Sequence, residues 1–129
     1  IVSDEVADII AGEAEAGSQT FTLTSASDDY TGGSGSDIFN GVYSSLASEN
    51  TLNAGDKIDG GDGTDTLNID LKSSFSGLGT DGYIKNVENV NLTNDTSIVR
   101  TFSATNIEGV QKYTLDSAKA ISLSNLKEA

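Results

Sequence analysis

Gly60-Gly61-Asp62-Gly63-Thr64-Asp65-Thr66-Leu67-Asn68 repeats the pattern of Gly32-Gly33-Ser34-Gly35-Ser36-Asp37-Ile38-Phe39-Asn40. Both read Gly-Gly-x-Gly-x-Asp-x-apolar-x. Stepping back nine residues from each finds a weaker copy. Residues 23–31 keep Asp28 and Tyr30 in place, and residues 51–59 keep Asp56 and Ile58. All four windows therefore carry Asp at the sixth position and an apolar residue at the eighth. The first six residues describe a sharp turn, for which glycine supplies positive φ without a Cβ clash. The x-apolar-x tail has the alternation of a very short strand with one face buried.

A longer period governs the rest of the chain. Residues 84–106 align under 107–129 at an offset of 23, which matches Ile84 with Ile107, Val87 with Val110, Val90 with Tyr113, Leu92 with Leu115 and Ile98 with Ile121. Continued upstream, the offset sets Leu67, Ile69 and Phe75 over Val90, Leu92 and Ile98. The local rhythm, as in Val90-Asn91-Leu92, is that of strands. A spacing near 23 suits one coil of a parallel β-solenoid, in which each layer buries its apolar residues by stacking on the next. Antiparallel hairpins that share a spacing are the competing arrangement. The expected fold is thus all-β: a right-handed parallel β-solenoid over residues 20–129. Residues 1–19 differ, with Val2, Val6, Ile9 and Ile10 at helical spacing, and are expected to form a short helix or a linker from a preceding domain. The chain starts at Ile1, and a segment excised from a longer protein is expected.

Composition narrows the chemistry. The 129 residues contain 7 Lys+Arg against 20 Asp+Glu, a net charge of −13, and no His, Cys, Met, Trp or Pro. Without His or Cys there is no imidazole base, thiolate nucleophile, disulfide or nitrogen- or sulfur-ligated metal. The acidic balance disfavours nucleic acid and anionic membranes, and no apolar run approaches the length of a membrane span. An enzyme is not expected. Carboxylate and carbonyl oxygens do suit a hard cation, and the expected cofactor is Ca2+, which takes six to eight oxygens in irregular geometry.

The GGSGSDIFN and GGDGTDTLN repeats resemble those of the repeats-in-toxin (RTX) calcium-binding β-roll proteins. That resemblance implies an 18-residue coil of two nonapeptides with ions held between stacked turns. Coils at 23–40 and 51–68 are then offset by 28 residues because residues 41–50 are inserted, so the 32–37 turn should lie on 60–65 and the 23–28 turn on 51–56. It also implies the metal-site residues: Asp37 and Asp65 with Gly33, Gly35, Gly61 and Gly63 from the complete motifs, and Asp28 and Asp56 from the degenerate ones. Asp29, Asp59 and Asp62 are further candidate contributors, or else plain surface charge. The Asn/Thr-rich remainder, Gly63 to Ile69 and Asn86 to Leu92, is similar to bacterial surface-layer (S-layer) proteins, in which a calcium β-roll continues into β-helix-like rungs. The function this implies is a calcium-binding structural segment of a secreted bacterial surface protein. Calcium would drive folding and lattice assembly, and the partners would be copies of the chain itself. Two other readings remain: the calcium-dependent folding or secretion module of an RTX exoenzyme or toxin, and an adhesin repeat.

Overall fold

A computed structural model describes residues 18–126. Ten strands account for the regular structure of the described residues: β1 (Thr20–Thr22), β2 (Asp29–Thr31), β3 (Ile38–Tyr43), β4 (Lys57–Asp59), β5 (Thr66–Leu71), β6 (Tyr83–Lys85), β7 (Asn89–Asn94), β8 (Arg100–Ser103), β9 (Lys112–Ser117) and β10 (Ile121–Ser124). No helix occurs among the described residues, and the helix or linker expected over residues 1–19 lies almost wholly outside them.

All the strand pairings are parallel. Odd-numbered strands form a five-stranded sheet in chain order, β2, β4 and β6 form a second sheet, and β8 with β10 forms a third. The chain therefore returns to the first sheet on every pass. Thr20 pairs with Ile38, Ile38 with Thr66, Thr66 with Asn89 and Asn89 with Lys112, which are offsets of 18, 28, 23 and 23 residues. A parallel return needs a long crossover. Here the crossover carries the strands of the other two sheets.

Alternation along each strand sends every second side chain inward. Phe21, Phe39, Leu67, Val90 and Tyr113 form one inward column, and Ile69, Leu92 and Leu115 form another beside it. Gly41 heads that second column because Leu23 fills its place: a Cβ on Gly41 would sit 2.5 Å from Leu23 Cδ1. Tyr30, Ile58, Ile84 and Ile107 line the second sheet, and Phe75, Phe102 and Leu123 the third side. Ring stacking reinforces the start of the core, with Phe21 4.9 Å from Phe39 and 5.0 Å from Tyr30.

On the outer face of the five-stranded sheet asparagine amides link the passes. Asn68 Nδ2 donates to Asn40 Oδ1, and Asn91 Nδ2 donates to Asn68 Oδ1. Three further asparagines, Asn86, Asn106 and Asn125, take the left-handed conformation at bends. Each reaches back to an earlier pass, to Asp59, Gly79 and Ser103 respectively. Asparagine tolerates that conformation better than other side chains.

The 23-residue offset fails on the third side. Phe75 is bridged to Phe102 and not to Ile98, and Ile121 pairs with Arg100. Ile98 is 58% exposed. The cause is Asn94, fully buried at the end of β7, whose Nδ2 donates to the Ile98 and Lys119 carbonyls while Oδ1 accepts from Thr96. That amide gathers residues 94–98 into a turn and delays the next strand. Leu115 does pair with Leu92, but it is 42% exposed because β9 has a neighbour on one edge only among the described residues.

Candidate functional site: stacked glycine–aspartate turns

The two complete nonapeptide turns lie one on the other. A Cβ on Gly61 would sit 2.6 Å from the Gly33 carbonyl oxygen, and one on Gly63 would collide with that of Gly35. Glycine at these places lets two backbones approach where any side chain would hold them apart. The carbonyls of Gly33 and Gly35 thus face the turn of the next pass, and among the described residues they receive no N–H. The turns are not conformational copies. Gly61 and Gly63 have φ of 80° and 90°, whereas the glycines of the 32–37 turn have no positive φ.

Asp37 and Asp65 are both fully buried at the entry to β3 and β5. Asp37 Oδ2 accepts the Gly33 N–H at 2.9 Å and closes its own turn, while Oδ1 accepts the Gln19 N–H at 2.8 Å. The Asp37 N–H donates in its turn to Asp65 Oδ1 at 2.7 Å. A carboxylate on each pass therefore satisfies the strand-entry amide of the pass before. The degenerate turns use the same device. Asp28 N–H donates to Asp56 Oδ1 at 2.8 Å, and Asp56 Oδ2 accepts from Asn53 N–H. Asp28 spends both oxygens on Thr24, one on its N–H and one on its hydroxyl.

Asp65 departs from this scheme. Its Oδ1 is used, but Oδ2 is buried and has no partner among the described residues. By analogy with Asp37 the partner would be the Gly61 N–H, which instead donates to Asp59 Oδ1 at 3.0 Å. Burial, aided by the negative charges of Asp37 and Glu88, pushes the Asp65 carboxyl up to about 6. Burial also raises Asp56, whereas Asp59 is lowered, chiefly by the hydrogen bond from Asn86. Asp62 is exposed at the tip of its turn, apart from the buried carboxylates.

Glu88 joins these residues although it belongs to no nonapeptide. Its Oε1 accepts the Asp65 N–H at 2.8 Å and so extends the carboxylate ladder by one pass. The signal was in the spacing, because Glu88 stands 23 residues after Asp65. Among the described residues no three acidic side chains come together as a metal cluster. A cation here would depend on backbone carbonyls as much as on carboxylates, which calcium accepts and zinc does not.

Comparisons with known proteins bring nothing to this site. No family model, curated protein or solved structure matches the chain. The fit to calcium therefore rests on the donor set. That set comprises turn carbonyls without N–H partners, a close approach at Gly61 and Gly63 that a Cβ would obstruct, and the buried carboxylates of Asp37 and Asp65. All are hard oxygen donors.

Proposed function

We propose that this chain is part of a right-handed parallel β-solenoid that binds calcium between its stacked turns, and that it serves as a structural segment of a secreted bacterial surface-layer protein. In this reading calcium drives folding and allows copies of the chain to assemble into a lattice. The observation that carries the calcium reading is the stacking of the 60–65 turn under the 32–37 turn, with the Gly33 and Gly35 carbonyls directed into the contact and Asp37 and Asp65 buried beside it. The all-parallel pairing, in chain order, is what a solenoid requires. Charge supports it further. Residues 28–70 hold nine acidic side chains against Lys57 alone. Folding them together without a cation crowds like charges, and binding coupled to folding relieves that cost.

The test is calorimetric titration with calcium, together with melting curves in chelator and in calcium. Extracellular calcium modules bind at about 10⁻⁴–10⁻³ M, so a rise in melting temperature is expected by about 10 mM. Asp37→Ala and Asp65→Ala should each weaken binding at least about tenfold. Asp28→Ala, in a turn that lacks the Gly-Gly start, should change it by less than about threefold. No heat and no shift in melting would defeat the calcium reading. Light scattering with and without calcium tests the lattice: a particle size that calcium leaves unchanged would defeat it.

A further inference from the structure

Asp65 Oδ2 does not face the contact between the two nonapeptide turns. Its sister Oδ1 is turned that way, towards the Asp37 N–H. Oδ2 lies beside Gly60, where a Cβ would stand 2.6 Å from it and would also collide with the Asn86 carbonyl oxygen. Asn86 belongs to the next pass of the chain, and so does Glu88, held beside Asp65 by its hydrogen bond to the Asp65 N–H. Among the described residues the Asn86 carbonyl receives no N–H, and the second oxygen of Glu88 has no partner. Asn86 is fixed in the left-handed conformation by its own bond to Asp59, which keeps its carbonyl pointed at this place.

We propose a second calcium site, between the 60–65 turn and the 86–88 bend, made by Asp65 Oδ2, the Glu88 carboxylate and the Asn86 carbonyl. It rests on the calcium reading above and extends it to a pass that carries no nonapeptide. The first contact has the same layout: a Cβ on Gly32 would collide with both Asp37 Oδ2 and the Gly60 carbonyl oxygen. At the first contact the carboxylate oxygen is taken by the Gly33 N–H, and at the second it is free. Asp65 Oδ2 and the Asn86 carbonyl oxygen flank the Cβ position of Gly60, and with Glu88, held at the Asp65 N–H, they form a hard-oxygen set with a charge of −2, complementary to a divalent ion. A buried oxygen without a donor is otherwise costly.

The test uses the full chain, titrated with calcium chloride by calorimetry at neutral pH and melted in chelator and in calcium. Glu88→Gln keeps an oxygen to accept the Asp65 N–H but removes the charge. It should lose one bound ion, or weaken one site at least about tenfold, and leave the other intact. Asp65→Asn should lose the same ion. Its new amide has the Asn86 carbonyl to donate to, so in chelator it should melt no lower than the parent chain. If Glu88→Gln fails to fold, Glu88→Asn, which also removes the charge, decides the matter. A Glu88→Gln chain that binds as many ions as the parent, with the same affinities, would overturn this site while leaving the first one standing. A parent chain that binds no calcium would overturn both.

Discussion

Leu92→Ala measures how far each pass depends on its neighbours. Leu92 is fully buried, with Ile69 on one side and Leu115 on the other along the same inward column. Losing its side chain removes contacts to both neighbouring passes, and well-packed sites of this kind cost about 2–5 kcal/mol. Leu115 has the same chemistry but is 42% exposed and packs against one pass only, so Leu115→Ala should cost about 1–2 kcal/mol. For a domain of this size 1 kcal/mol moves the melting temperature by about 4 °C, which predicts a fall of about 8–20 °C for Leu92 and about 4–8 °C for Leu115. Urea unfolding at fixed calcium, followed by circular dichroism, gives both values directly. The double variant should show a coupling of at least about 0.5 kcal/mol, because the two side chains share one space. Equal losses from the two single variants, or strictly additive losses in the double, would show that the passes do not support one another in this way.

Other perturbations act on the turns and the ladders. Gly61→Ala and Gly63→Ala should each cost more than about 2 kcal/mol, because positive φ and the Gly33 and Gly35 carbonyls both oppose a Cβ. Gly79→Ala, where a Cβ would lie 3.7 Å from its nearest neighbour, should stay within about 0.5 kcal/mol, and urea midpoints separate the two cases. Asn68→Ala breaks two amide contacts and Asn91→Ala one, so Asn68→Ala should be the more destabilising, at about 1–3 kcal/mol. In chelator, stability should fall as pH rises. The folded Asp65 carboxyl, at about 6 against an ordinary 3.8, binds its proton more tightly than the unfolded chain does. Protonation therefore favours the fold, and about 1–3 kcal/mol should be lost between about pH 4 and pH 6. Asp56 adds to this trend and Asp59 opposes it. Urea midpoints at pH 4.5 and pH 7 check the sign, and Asp65→Asn should flatten the slope.

Much of this architecture can be read in the residues. The offset of 28 is visible because the two Gly-Gly-x-Gly-x-Asp motifs stand 28 residues apart, and Ile38 indeed pairs with Thr66. The offset of 23 holds wherever alternation drives the pairing, as for Leu92 with Leu115 and Ile84 with Ile107. It breaks at Ile98 because a polar residue, Asn94, occupies an inward place and folds the chain round its own amide. Apolar matching has no means of weighing such a residue. The site divides likewise. Asp37 and Asp65 are announced by their glycines, whereas Glu88 has none and is found only by its spacing. That Asp65 keeps a free oxygen depends on the Gly61 amide turning to Asp59, a choice between two acceptors that composition does not settle.

The ladder of carboxylates also explains why so acidic a chain places its charges in the core. Parallel strands entered from a turn leave the first amide of each pass without a ladder partner, and a carboxylate from the next pass supplies one at Asp28, Asp37 and Asp65. Each such charge-assisted bond contributes about 1.5–3 kcal/mol. Against it stands repulsion between successive carboxylates, on the order of 3 kcal/mol for charges about 5 Å apart at an effective dielectric of about 20. The two nearly cancel, so the ladder orders the turns without stabilising them strongly. What tips the balance is whether the remaining oxygens are satisfied. Asp37 has the Gly33 N–H for this, and Asp28 has Thr24. Asp65 has only a proton or a cation to turn to, and the pass that ends the glycine repeats is therefore where a bound ion would stabilise the fold most.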